Sequence, residues 1–503
     1  MYFRTPESSE YFQSMLYPHR RQFIIGPNPL KVFDNWCTHQ INSSAWLSHC
    51  PSLPVNCVYD TDGILWCLLG RAIQTQFDRP SPLKEISQSR TVDVPNLYPY
   101  WAGRWVLTGN HQVHMDASGL LGCFYNTSPA DFTWVSSSPS LLTRVLQVNQ
   151  RLIADTRRLQ YRQGLNWFTL PRSRFAGINR LLPSQIVDFS NGQVVSRPLM
   201  PAINPNQSYE KTLLLIQQSL TTTLEGLVSE VDGRLWLGLS AGLDSRVILA
   251  IAHAAKINLN PFTRLMSRIS MADRFLPPLL ARTCGYKHTF LRQKPGNSRQ
   301  NRKLLLIEHS AEHVSSGDAE PFLNGIRDDL IGLSIGGHGW EVFREFSEFA
   351  DFPTTLDDPK IVAKQIAIVH GEPEDSSATA GIYDWLMWIY QYPQEGLDWQ
   401  DRFCLEQGQA GWLSSKEQLY DMTPLERFPI LNSAYNYSLV LSLSKEQRTG
   451  SKIQQDLIRQ TYPKLLKYPI HLPDYYLRTL KTLIKNQLKS LLHLHGQTGE
   501  KNK

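Results

Sequence analysis

The spacing of apolar and polar positions changes partway along the chain, and the change divides it. Between residues 55 and 190 the apolar runs are short and broken by Gly, Asp and Asn, as in NCVYDTDGILWCLLG, GRWVLTGNHQVHMDASGLLGCFY and SQIVDFSNGQVV. That texture predicts β hairpins. After the polar, Pro-containing stretch PAINPNQ at 201–207 the spacing becomes helical, beginning with SYEKTLLLIQQSLTTTLEGLVSEV. From residue 234 the expected order is strand RLWLGL, turn SAGLDS, helix RVILAIAHAAK, strand PFTRLMS, helix ADRFLPPLLARTCG, then the apolar segment DLIGLSI entering a Gly-rich turn. Strands alternating with helices predict a parallel, doubly wound α/β sheet that takes ligands at the carboxyl ends of its strands. Residues 355–495 read as mainly helical. Since 503 residues is too long for one ordinary core, the expected organisation is two domains, 1–200 and 205–490, with a flexible tail at 491–503.

Composition narrows the partners. Apolar residues at 42% and charged residues at 19% describe a globular chain, and a net charge of +6 with scattered Lys and Arg offers no nucleic-acid patch. No run approaches the roughly 20 apolar residues of a membrane span, and the start MYFRTPESSEYF lacks a basic end followed by an apolar run. The expectation is a cytoplasmic protein with no membrane or nucleic-acid partner, its oligomeric state left open. The seven cysteines, Cys37, Cys50, Cys57, Cys67, Cys123, Cys284 and Cys404, form no C-x-x-C pair, so reduced thiols are expected rather than disulfides or a zinc site. Near the C-terminus, Arg478, Lys481, Lys485 and Lys489 alternate at helical spacing with Leu477, Leu480, Ile484, Leu488 and Leu491. This reads as a solvated helix face, with ligand or partner contact as the alternative.

The segment Leu235–Ala250, LWLGLSAGLDSRVILA, carries the most chemistry. A buried strand ends in small residues and a helix begins at once. The amides of Ser240, Ala241 and Gly242 are therefore expected to point into one concavity, where free N–H groups and the helix dipole favour a phosphate. Ser240 and Ser245 add hydroxyl donors. A carboxylate such as Asp244 among phosphates calls for a divalent cation, and Mg2+ suits that place. The plainer alternative is a tight turn whose Asp244 or Ser245 caps the helix.

This loop resembles the S-G-G-x-D-S loop of the pyrophosphate-loop ATPases, and within them asparagine synthetase, with Ala241 replacing one glycine. Other matches follow in the family's order. Phe262–Ser267 looks like the second strand, whose backbone at Leu265 would line the adenine pocket. Asp273, Ala281, Gly285 and His288 keep a D…A…G…H spacing. GGHGWEVF at 336–343 stands where the family carries S-G-D-G-x-D-E-L-F, and LPDYYLRTLK places Lys481 on a motif lysine. The resemblance implies an adenine nucleotide α-hydrolase-like fold that binds ATP through Leu239, Ser240, Ala241, Gly242, Asp244, Ser245, Leu265, Gly336 and Gly337. Asp244 and Glu341 would hold Mg2+. His338 replaces an expected acidic residue, and weakened activity is one consequence; a loop or packing role for His338 is another. Glu406 and Lys481 are the catalytic candidates implied, Glu406 as a base for the attacking amine and Lys481 as a cation for developing negative charge. An exposed helix face is the alternative for Glu406.

In the first half, Gly103-Arg104-Trp105, Asp116-Ala117-Ser118-Gly119, Ser136-Ser137-Ser138, Phe175-Ala176-Gly177-Ile178 and Leu182-Pro183 resemble, in order, the glutamine amidotransferase domain of asparagine synthetase. That implies an αββα Ntn-hydrolase-like sandwich. Its nucleophile would be an N-terminal cysteine, but this chain begins Met1-Tyr2. Either the domain is a scaffold completing the substrate pocket or the start is misassigned. The activity implied is an ATP-dependent carboxylate-amine ligase releasing AMP and pyrophosphate. Its substrates would be a small-molecule or peptide carboxylate and either ammonia or an amine. Alternatives are a lactam or macrolactam cyclase of the lasso-peptide type and a non-catalytic nucleotide-binding protein.

Overall fold

The computed structural model describes residues 19–127, 132–146, 159–160, 166–204, 206–231, 234–265, 269–292, 306–310, 332–343, 349 and 351–470. The described part of the N-terminal half is built from β1 (Phe23–Gly26), β2 (Cys37–Asn42), β3 (Ala45–His49), β4 (Val55–Tyr59), β5 (Leu65–Gln74), β6 (Trp101–Gly109), β7 (Gln112–Met115), β8 (Phe124–Asn126), β9 (Val135–Ser136), β10 (Leu159–Gln160), β11 (Asn166–Trp167), β12 (Ile178–Arg180), β13 (Gln185–Asp188) and β14 (Val194–Ser196). Two antiparallel six-stranded sheets run β12-β8-β9-β1-β3-β2 and β14-β13-β7-β6-β5-β4, while β10 and β11 pair apart. Phe23, Ile25 and Leu47 of the first sheet share one core with Leu69, Val106, Val113 and Met115 of the second. Helix α1 (Pro82–Ser87) lies outside the second sheet and α2 (Pro139–Val145) outside the first, each over its own apolar cluster.

The hairpins follow the turn chemistry read from the sequence. Gly109 pairs with Gln112 around Asn110 and His111, whose φ values of 48° and 64° give the doubly left-handed turn that suits right-twisted strands. β4 and β5 meet across Thr61–Gly63, and this register sets Cys57 directly opposite Cys67 with Cα atoms 4.1 Å apart. The two sulfurs are bonded. The expectation that all cysteines are free is thereby corrected: opposed positions on an antiparallel pair bring Cβ atoms within disulfide reach.

The second half is mixed α/β around one five-stranded parallel sheet. Helices α3 (Tyr209–Glu230), α4 (Leu243–Ala254) and α5 (Met271–Thr283) alternate with β15 (Leu235–Gly238), β16 (Asn260–Leu265), β17 (Thr289–Arg292), β18 (Leu333–Ile335) and β19 (Glu426–Phe428). Strand order is β17-β16-β15-β18-β19, with every pairing parallel. Side chains alternate across β15 as a pleat requires. Leu235 and Leu237 join the cluster holding Val247, Ile248, Leu276 and Leu280, while Trp236 packs with Phe262, Leu291 and Leu425 on the other face.

Beyond residue 355 come α6 (Pro359–Val369), α7 (Ser377–Gln391), α8 (Trp399–Phe403), a π-helical run Cys404–Leu413, α9 (Ser414–Asp421), α10 (Ala434–Leu441), α11 (Lys445–Arg448) and α12 (Lys452–Thr461). Among the described residues no helix is long and apolar enough to cross a membrane.

Candidate functional site

The loop after β15 is organised by its own small polar side chains. Leu239 N–H donates to Phe262 O at 2.8 Å, carrying the sheet one residue further. The chain then turns into α4, whose N-cap, Gly242, has no side-chain cap, so no cap side chain closes the first-turn amides. The expectation of three open amides at 240–242 does not hold. Ser240 N–H donates to Ser245 Oγ at 3.0 Å, Gly242 N–H to Ser240 Oγ at 3.3 Å and Ala241 N–H to Asp273 Oδ1 at 2.7 Å. Serine hydroxyls and one carboxylate therefore occupy donors that a phosphate would use. Behind the loop, Arg246 is fully buried and donates to Ala241 O at 2.5 Å and to the carbonyls of Leu465, Tyr468 and Pro469 at 3.0–3.1 Å. Burial pushes its pKa down to about 10. The loop is thus tied from below to the last described residues.

The glycine-rich turn expected from sequence does reach this loop. A Cβ on Gly337 would stand 2.8 Å from Asp244 Cβ and from Ser245 N, so only a glycine lets the 336–339 turn lie on the first turn of α4. Asp244 Oδ1 accepts from Gln454 Nε2 of α12 at 3.3 Å. Replacing Gly337 by Ala should force the two segments apart. We expect a loss of about 1–3 kcal/mol in denaturant unfolding, the cost of overpacking a close contact. Unchanged stability would show that the two segments part without strain.

Other expected site residues divide. Leu265 lies three residues past Phe262, which registers with Gly238, so it extends beyond the carboxyl end of β15. His288 Nε2 and Thr263 Oγ1 lie 2.9 Å apart and Thr263 Oγ1 donates to Leu239 O at 2.7 Å, binding the second strand to the loop. Glu341 turns one oxygen to Gly339 N–H at 2.9 Å and Gln409 Nε2 at 3.3 Å, bracing its own turn against the π-helical run. Among the described residues no three His, Cys, Asp or Glu gather as a metal set. Glu406 is not on an exposed face. It is fully buried and accepts from Ser184 N at 3.3 Å, Trp385 Nε1 at 3.0 Å and Arg402 Nε at 3.1 Å. Lys481, Arg478, the helical pattern around them and the tail at 491–503 lie outside the described residues.

Beside the glycine turn stands a cluster the sequence reading missed. Arg427 of β19 makes a two-pronged bond to Glu417 of α9, with Nε–Oε2 and Nη2–Oε1 both 2.9 Å. The Tyr420 ring has the Arg427 guanidinium 4.1 Å from its centroid and that of Arg264, on β16, at 5.3 Å. Burial raises the Tyr420 phenol, but Arg264, Arg427 and Lys416 outweigh it and hold the phenol below its ordinary value. A Cβ on Gly336 would lie 3.5 Å from His338 Cδ2 and 3.9 Å from Arg427 Nη2, placing the cluster against the turn. Burial, then Lys416 and Arg427, keep His338 well below the usual histidine range, so it is a neutral ring. Three cations and one paired carboxylate leave this edge of the sheet positive.

Compared with known proteins, the chain matches no protein-family model and no curated protein.

Proposed function

We propose that the chain is an ATP-dependent carboxylate-amine ligase of the asparagine synthetase type, with the parallel sheet as a pyrophosphate-loop ATPase core and the sandwich as a degenerate Ntn-like partner. The observation that carries this reading is the meeting of loop 240–245 with Gly337 at the uncapped start of α4, with Arg427 against Gly336 and Arg264 and Lys416 grouped with it around Tyr420. Phosphate oxygens would take Ser240 and Ser245 hydroxyls, the first-turn amides of α4 and the Ala241 amide now held by Asp273. Asp244 is suited to Mg2+, a hard cation that needs one or two carboxylates beside phosphate oxygens and would neutralise their charge. A carboxylate oxygen of the acyl substrate attacks the α-phosphorus and pyrophosphate leaves. An amine or ammonia then attacks the acyl carbon, AMP leaves with the bonding electrons, and the nitrogen gives up a proton to solvent. Arg264, Lys416 and Arg427 stabilise the negative charge through both steps.

Full-length protein with labelled ATP, Mg2+ and a panel of acids should release pyrophosphate. Asp244→Ala should lower the rate by about 100-fold or more, a loss of about 2.7 kcal/mol of transition-state stabilisation. The Asp273 carboxylate on the Ala241 amide favours one second reading, a nucleotide-binding protein without turnover. ATP binding with no pyrophosphate from any acid would select it.

A further inference from the structure

Helix α9 has two faces, and each is committed to a different half of the molecule. Ser414, Gln418 and Asp421 recur at i, i+4 and i+7 and all meet the sandwich. Ser414 Oγ bonds Arg180 and donates to Gly119 O at 3.0 Å. Gln418 Nε2 donates to Ser137 O at 2.9 Å, in a space that Gly122, at φ +84°, leaves open. Asp421 receives both Arg104 Nη1 and Nη2, at 2.5 and 2.6 Å, with both side chains about 95% buried. The opposite face presents Lys416, Glu417 and Tyr420 to the cation cluster, where Glu417 grips Arg427.

We propose that Arg104 is a positioning residue for the anion-binding site: its two-pronged bond to Asp421 fixes the rotation and height of α9, so the sandwich shapes a site it does not line. A guanidinium–carboxylate fork constrains direction as well as distance, and a buried one has no water to replace it. Arg104 Nε also donates to Leu120 O at 2.8 Å, which anchors the fork to the sandwich rather than letting it follow the helix. Turning α9 moves Lys416 and Tyr420 directly, and moves Arg427 through Glu417. This inference rests on the ligase reading of the cluster.

The test uses the full chain and inorganic pyrophosphate with Mg2+ as the probe. Arg104→Lys keeps the charge but loses the fork, and Asp421→Asn keeps the shape but loses the charge. Each should weaken pyrophosphate binding in calorimetry about tenfold, the scale of a small misplacement, with the near-ultraviolet circular dichroism of the fold retained. Each should also move the ultraviolet titration of Tyr420, read as the difference from the matching Tyr420→Phe protein, to higher pH as the phenol leaves its cations. Affinity within about twofold of wild type in both variants, with Arg427→Gln still impaired, overturns the positioning role and leaves the site standing. Absence of pyrophosphate binding to the wild-type chain removes the site and the inference together. Should Arg104→Lys fail to fold, the near-isosteric Asp421→Asn decides alone.

Discussion

Acidification from pH 6.5 to about 4 should cost this protein much of its stability, because fully buried histidines, His309 and His114 among them, are held neutral. Burial lowers His309 from 6.5 to about 4 and His114 from 6.5 to about 3. For His309 the geometry demands it. Nδ1 accepts the His19 amide at 3.0 Å and Nε2–H donates to Gln418 O at 2.8 Å, so a second proton would meet an N–H. A folded-state pKa below the unfolded value means that unfolding takes up protons. The stability is fully present above pH 6.5 and drains as pH falls towards the folded values. At about 1.4 kcal/mol per unit, each ring contributes about 3 kcal/mol that is lost by about pH 4, together about 6. That is a large part of the stability of an ordinary protein. Urea unfolding across this range should give a steep decline that His114→Phe makes shallower by about 3 kcal/mol. Parallel wild-type and variant profiles would refute it.

Arg402→Ala should be the most damaging single change in the helical part. Glu406 accepts three hydrogen bonds at zero exposure, and Arg402 supplies its only cation among the described residues at 3.1 Å. Removing one member of a buried pair strands the other, and the expected cost is about 3–5 kcal/mol by denaturant unfolding. Arg402→Met with Glu406→Gln should recover much of it, since both charges then go together. A loss below about 1 kcal/mol for Arg402→Ala would mean that water reaches Glu406.

Local patterns were legible from sequence; meetings between distant segments were not. RLWLGL and RVILAIAHAAK became β15 and α4, although the helix starts at Leu243 because the last three residues of SAGLDS are already helical. The turn at Asn110–His111 announced its hairpin through residues that tolerate left-handed backbone. Cys57 and Cys67 flank the Thr61–Gly63 turn, so counting outward from that turn was the available signal for their pairing. Glu406 looked like a solvated helical charge, and only Arg402 four residues earlier hinted at a buried partner. The cations of the site come from β16, α9 and β19, and nothing in a one-dimensional charge pattern distinguishes Arg264 or Arg427 from a surface arginine. Asp273 was visible as a spacing match, but its place on the Ala241 amide depends on how α5 approaches the loop.

The most direct measurement is a crystal structure of the full chain with ATP and Mg2+. The account predicts the triphosphate on the 240–245 loop, Asp273 displaced from the Ala241 amide, and Mg2+ between Asp244 and phosphate oxygens. A nucleotide bound elsewhere, with Asp273 still on Ala241 and Asp244 still on Gln454, would contradict it.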